Sequence, residues 1–132
     1  MAALNPYGIV LEAFSFELFT FTRFISGTVD ASCVGKAVTI DNTADGTVKL
    51  AGDGDPVYGR IFQYEDRSQE GVKVVSVERK FIKRLPKSGT VARGDHVVGA
   101  GNGAVKTGTA TAGDHRNHVL QVGSDYVVVE KL

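Results

Sequence analysis

The fold is decided by a stretch that reads as strand, turn and strand: Val38-Thr39-Ile40-Asp41-Asn42-Thr43-Ala44-Asp45-Gly46-Thr47-Val48-Lys49-Leu50. Val38–Ile40 and Thr47–Leu50 are short and rich in β-branched residues, which favour a pleated strand. The residues between them, Asn42–Gly46, are types that accept positive φ or close their own turns. This stretch therefore predicts two strands joined by a tight connection.

The same alternation of short apolar runs and turns continues along the chain, which has 16 Gly in 132 residues. Strands recurring at this spacing predict an all-β fold, a small Gly-rich β-barrel or sandwich. Arg79–Arg84 is the one segment for which a short helical turn is an alternative to a strand. The sequence shows no repeat of fixed period, so a repeat protein is not expected. The further predicted strands are Val57–Tyr64, Val72–Val77, His96–Val98, Val119–Val122 and Tyr126–Val129. The predicted turns are Ala51–Pro56, Gln69–Gly71, Gly101–Gly103 and Gly123–Asp125.

An aromatic segment precedes this pattern, because five of the seven Phe residues fall between positions 14 and 24. Phe14–Glu17 and Phe19–Thr22 alternate apolar and polar residues, as a strand does. We therefore divide the chain into an extended N-terminal arm, 1–26, and a β domain, 27–132. The arm is either a core strand or a segment that buries its rings on another chain, since aromatic residues dominate interface hot spots. In the second case Phe14, Phe16, Phe19 and Phe21 are the interface residues.

Composition excludes several classes of protein. One Cys, Cys33, excludes a disulfide scaffold and predicts a small buried hydrophobic residue. Fifteen basic residues balance fifteen acidic ones, which argues against direct nucleic-acid binding. No apolar run is long enough to span a membrane, and the first 24 residues lack the pattern of a secretory signal. We expect synthesis in the cytoplasm without export and no membrane partner.

Charge is distributed unevenly despite this balance. Residues 1–59 carry seven acidic and three basic residues, whereas residues 60–95 carry nine basic and five acidic ones. Complementary segments of this kind suit self-association as well as a monomer. The basic cluster Arg79, Lys80, Lys83 and Arg84 predicts either contact with an acidic protein surface or with phosphates, or a solvated edge strand. The neutral whole favours the protein contact over nucleic acid.

Motifs for catalysis or cofactor binding fail on spacing. Gly99–Gly103 has its third Gly two positions after the second, where a dinucleotide loop needs it three positions after, and a strand-like segment follows instead of a helix; it predicts a hairpin turn. Asp41–Gly46 opens like a calcium loop, but Gly52 stands where the bidentate Glu is needed. There is no Gly-x-Ser-x-Gly elbow. We expect no enzyme activity, cofactor or metal. His96, His115 and His118 are the only basis for the alternative of a small metal- or carbohydrate-binding β module.

Several glycine-led strands and turns follow one another in the second part of the chain: Gly59–Ile61, Gly71–Val77, Ser88–Val98 with its Gly-Asp-x-Val step, Gly103–Lys106, and the closing pair Val119–Val122 and Tyr126–Val129. In this order they resemble the head decoration, or capsid cement, proteins of tailed bacteriophages. The resemblance covers about residues 36–132, and its motifs are turn and strand signals. The aromatic arm departs from the short polar starts of that family.

The resemblance implies a structural protein of the virion. Such a protein binds the outer surface of the head, partners the major capsid protein, often assembles as a homotrimer, and stabilises contacts between major capsid subunits. Another small β-barrel virion component, such as a head-completion or tail protein, is the alternative within the same class.

Overall fold

The computed structural model describes residues 20–108 and 117–131, and these contain ten strands and two single-turn 3-10 helices at Ala31–Cys33 and Ser68–Glu70. The strands are β1 Thr20–Ile25, β2 Ala37–Ile40, β3 Thr47–Leu50, β4 Gly59–Arg67, β5 Val72–Glu78, β6 Phe81–Pro86, β7 Val97–Gly101, β8 Ala104–Thr107, β9 Asn117–Val122 and β10 Tyr126–Lys131. The predicted all-β class is confirmed.

The first five strands form a closed barrel in the order β1-β3-β2-β4-β5, with β1 returning to pair with β5. β1 and β3 are parallel, and the other pairs are antiparallel. Inward-facing apolar residues fill the barrel, among them Ile25, Val38, Val48, Ile61 and Val77. Closure removes free strand edges, so β1 is paired on both sides.

The last five strands form a sheet β6-β10-β9 and a hairpin β7-β8. Two short junctions join the sheet and the hairpin. At one junction, Lys87 and Val105 form a parallel β-bridge. At the other, the Gly94 N–H donates to the Val119 carbonyl (2.7 Å), and the Val119 N–H donates to the Asp95 carbonyl (2.9 Å). The resulting order, β6-β8-β7-β9-β10, repeats the order of the barrel strand for strand. The C-terminal unit is thus a second copy of the barrel topology with looser junctions.

Matching hydrogen bonds and matching sequence support this duplication. Ser26 donates to Val48 and Ser88 to Val105, each at 2.9 Å from backbone nitrogen to carbonyl oxygen. Ser26-Gly27-Thr28-Val29 has an identical counterpart in Ser88-Gly89-Thr90-Val91. Gly35 and Gly94 correspond as well, with φ of 90° and 85°, a conformation in which glycine is favoured.

The expectation that the chain contains no internal repeat is therefore corrected. The offset between copies falls from 62 positions, Ser26 to Ser88, to 57 positions, Gly46 to Gly103. Connections of different length hide the repeat from any search for a fixed period.

Two further expectations change. Arg79–Arg84 is not helical, because Phe81–Pro86 is strand β6, with Phe81 and Leu85 buried. Six of the last seven residues of the predicted arm, Thr20–Ile25, form β1 and belong to the barrel. Any separate arm must end before Thr20, and residues 1–19 lie outside the described part of the chain.

The two units share a core. Ala37, Ala51 and Val57 belong to the barrel half of the chain but pack in the apolar cluster of the C-terminal unit. Backbone hydrogen bonds cross the same boundary, from Ala37 N–H to the Gly103 carbonyl (2.9 Å) and from Gly99 N–H to the Asp55 carbonyl (2.7 Å). The described residues therefore form one packed body.

Candidate protein-interaction surface

Of the four predicted interface phenylalanines, Phe21 lies in a described strand, and Phe14, Phe16 and Phe19 fall outside the described residues. Phe21 is on β1 with 41% of its surface exposed, and Phe24 further along β1 is 48% exposed. Large apolar side chains left in water on a closed barrel are candidates for a contact with another protein.

Aromatic and cationic side chains alternate beside Phe21. The Arg23 guanidinium lies 5.3 Å from the Phe21 ring centroid, and Arg23 donates to the Tyr58 hydroxyl (3.3 Å). The Arg79 guanidinium lies over the Tyr58 ring, 3.9 Å from its centroid, and Arg79 Nε donates to the Tyr58 carbonyl (2.7 Å). We call Phe21, Arg23, Tyr58 and Arg79 the aromatic–arginine ladder.

Two more of the predicted cations lie on aromatic rings. The Lys83 ammonium is 5.0 Å from the Phe62 centroid, and the Arg84 guanidinium is 4.2 Å from the Tyr126 centroid. Stacking restricts a long side chain without neutralising its charge. Tyr58, Phe62 and Tyr126 were not identified from the sequence, because each is far along the chain from its cation and no local pattern joins them.

Lys83 also takes part in a buried charge cluster. Glu78 is only 1% exposed, and its carboxylate accepts from Lys83 Nζ (2.7 Å) and pairs with Arg60 Nη1 (3.4 Å). Arg60 Nε donates to the Arg84 carbonyl (2.9 Å), which ties β4 to β6. Part of the predicted basic cluster thus stabilises the junction of the two units, while Arg79 and Arg84 face ring surfaces nearer to solvent.

The start of β1, where the predicted arm joins the barrel, lies next to the predicted basic cluster. Thr20 pairs with Glu78, the last residue of β5, and Arg79 and Lys80 follow directly. Residues 1–19 therefore join the barrel beside the basic cluster. At the opposite end of β5, its first residues, the end of β4 and the connection between the two strands carry the acidic residues Glu65, Asp66 and Glu70 together with the basic residues Arg67 and Lys73. That end of the barrel has mixed charge.

A groove of about 860 Å³ crosses the outer face of β1, β5 and β4. Strand register sets Phe24 beside Val74 and Thr22 beside Ser76, with Ser76 beside Gln63 on β4. A bulge in β4 at Phe62 turns that ring toward the same groove. The groove combines apolar and hydroxyl-bearing side chains, a composition suited to a protein segment.

Two of the residues considered for metal binding, Asp41 and His96, have hydrogen-bond partners within the protein. Asp41 accepts from the Ser26 hydroxyl (2.6 Å) and from the Thr43 amide (2.9 Å) and hydroxyl (2.6 Å). These hydrogen bonds lower the pKa of Asp41 to about 2. His96 and His118 have ring centroids 4.8 Å apart, and His115 lies outside the described residues. No group of three or more His, Cys, Asp or Glu side chains could hold a metal ion within residues 20–108 and 117–131.

Cys33 is buried and unpaired, as predicted. Burial raises the pKa of its thiol, which keeps it protonated and weakly nucleophilic. In the part of the chain that the structure describes, no helix has the length and apolar character needed to cross a membrane.

The chain matches no protein-family model, and comparisons with characterised proteins and with solved structures found no similar protein.

Proposed function

We propose that the protein is a bacteriophage head decoration protein, which binds the outer surface of the capsid and stabilises contacts between major capsid subunits. The observation that carries this proposal is the joining point of the arm. Residues 1–19 are joined to Thr20, which lies opposite Glu78 at the end of the barrel that carries the aromatic–arginine ladder.

This arrangement suits recognition of protein surfaces. Tyr, Phe and Arg are the residue types that anchor interfaces, and the ladder holds them in contact before binding. Ordering in advance reduces the conformational entropy lost on association. The sequence resemblance implies the identity of the partner, an icosahedral head. From the charge of Arg79 and Arg84 we expect the contacted surface of the head to be acidic.

Binding to purified heads that lack their decoration protein tests the proposal. Deletion of residues 1–19, which leaves β1 intact, should abolish binding, and Arg79→Glu with Arg84→Glu should weaken it by about tenfold or more. Lys49→Glu is the matched control, because Lys49 is an exposed cation on β3 away from the ladder. Binding that survives both the deletion and the charge reversal would contradict the proposal.

Copy number in the particle separates decoration from a head-completion or tail role. A decoration protein occurs in proportion to the major capsid protein, whereas a connector occurs at one vertex. Quantitative mass spectrometry of purified particles measures this ratio. A low count confined to the neck or tail would contradict capsid decoration.

A further inference from the structure

We propose that the groove on the outer face of the barrel receives the Phe-rich segment, residues 14–19, of a second copy of this chain. The inference rests on the proposed function, because it names a partner surface for the arm. It is carried by the composition of the groove, the direction in which the arm joins the barrel, and the charge of the arm.

The groove offers a suitable surface for aromatic rings. Phe24 on β1 and Phe62 on β4 both line it. Between these strands, β5 contributes Val74, which pairs with Phe24 on one side and with Glu65 on the other. Phe24 has nearly half of its surface in water. Covering Phe24 with another apolar side chain would remove apolar surface from water, which favours association.

The occupant cannot join the barrel as an additional strand there. β1 is paired with β3 on one side and with β5 on the other, and β5 is paired with β4. A segment in this groove must therefore lie across the sheet and bind through side chains, for which aromatic residues are well suited.

The direction of the chain argues against docking on the same molecule. β1 begins at Thr20 opposite Glu78, and Phe24, which borders the groove, is four residues further into the strand, roughly 13 Å away. The chain therefore enters β1 at the end of the strand that is farther from Phe24. Among residues 9–19, Ser15 is the single residue of the types that dominate turns, and Gly, Pro, Asn and Asp are absent. Fully extended, 19 residues span roughly 60 Å, enough to reach a neighbour.

Charge complements this arrangement. The only charged side chains in residues 1–19 are Glu12 and Glu17. The groove is lined by Arg23, Arg67 and Glu65, and Glu65 pairs with Arg67 (3.2 Å). The acceptors of Arg23 are the neutral Thr22 carbonyl and Tyr58 hydroxyl, so among the described residues the groove carries one cation without an acidic partner. An acidic aromatic segment would supply that partner.

The inference is tested by mixing two variants that both keep the whole barrel, one with a disrupted groove and one without the arm. Val74→Glu removes the apolar centre of the groove and places an acid near Glu17, but it leaves the arm intact. Deletion of residues 1–19 removes the arm but leaves the groove intact. Each should be monomeric by light scattering, and an equimolar mixture should form a 1:1 complex. Ile40→Glu is the matched control, because Ile40 is a 50% exposed apolar residue on a barrel strand outside the groove.

Wild-type protein and Ile40→Glu should self-associate at least tenfold more tightly than Val74→Glu. Circular dichroism confirms that each variant is folded, and Phe24→Ser serves as a second groove variant if Val74→Glu is not. Unchanged self-association of a folded groove variant would overturn the inference. So would a wild-type chain that stays monomeric up to millimolar concentration, or a mixture that forms no complex.

These outcomes are independent of the proposed function, because no capsid is present. Self-association through the groove without binding to heads would contradict the proposed role in capsid decoration and would still support this inference. In another outcome, the wild-type protein is monomeric and Val74→Glu loses binding to heads. The groove would then bind the capsid protein, and the inference that a second copy occupies it would be overturned.

Discussion

Glu78 combines burial with charge at the junction between the barrel and β6. Its carboxylate is held by Lys83 and Arg60, which approach from β6 and β4. Burial of a carboxylate is tolerated because both of its oxygens have cationic partners. The basic cluster was predicted from sequence as an outward-facing feature, but Lys83 faces inward because Glu78, five residues earlier, is withdrawn from solvent.

Glu78→Gln should destabilise the protein by about 3 kcal/mol, because it removes the charge that compensates two half-buried cations. Urea denaturation measures the change in the free energy of unfolding. Glu65→Gln is the control, since Glu65 pairs with Arg67 in solvent (3.2 Å) and should change stability by less than about 1 kcal/mol. Equal effects of the two substitutions would contradict the structural role of Glu78.

Asp41 gives stability a dependence on acid pH. Its pKa in the folded protein, about 2, is below the ordinary value of 3.8, so its stabilising contribution is present above the ordinary value and is lost as the pH falls through about 2. Asp41→Asn should therefore lower the unfolding free energy at pH 7, and the difference from wild type should shrink toward zero near pH 2. Urea unfolding from pH 7 to pH 2 measures it. Asp45→Asn, at an exposed position in the same turn, should follow the wild-type curve; a constant difference for Asp41→Asn would refute the assignment.

Between strands β7 and β9, the Asn117 side chain takes the place of backbone pairing. In the barrel, β2 and β4 pair directly, Val38 with Gly59. At the corresponding place in the C-terminal unit, the buried Asn117 amide accepts from the Val97 N–H (2.8 Å) and donates to the Val97 carbonyl (3.1 Å). The looser junction between β7 and β9 is thereby kept hydrogen-bonded without a full ladder.

Asn117→Ala should destabilise the protein by about 2–4 kcal/mol, because it leaves the buried Val97 N–H and carbonyl without partners. The Val97 amide should lose its protection from hydrogen exchange, which NMR measures at the single residue. Gln121→Ala on the same strand is a comparison at a half-buried site, and its effect on Val97 should be small. Retained protection at Val97 would show that water or backbone takes the place of the amide.

The sequence predicts most strands, and its one ambiguous element has a physical explanation. Phe81 and Leu85 are four residues apart, a spacing that fits one face of a strand and one face of a helix equally. The hydrophobic period alone could not decide between them. Pairing of β6 with β10 along the whole strand, from Phe81 with Lys131 to Pro86 with Tyr126, decides for the strand.

At the scale of the whole molecule, two barrel-like units share apolar packing and backbone hydrogen bonds. Ala37, Ala51 and Val57 lose their burial if the C-terminal unit unfolds, so neither unit keeps a complete core alone. We expect one cooperative thermal transition, with calorimetric and van't Hoff enthalpies nearly equal. Two resolved transitions, or a calorimetric enthalpy well above the van't Hoff value, would show that the units fold independently.

The all-β class, most strands and turns, the burial of Cys33 and the positions of the cations follow from the amino-acid sequence alone, because they depend on local patterns of β-branched, glycine and charged residues. Tertiary contacts were needed to reveal the closure of the barrel, the inclusion of Thr20–Ile25 in it, the duplicated topology and the rings on which Arg79, Lys83 and Arg84 lie. These features depend on contacts between residues far apart in the chain, and the unequal connections between paired strands leave no periodic trace of such contacts.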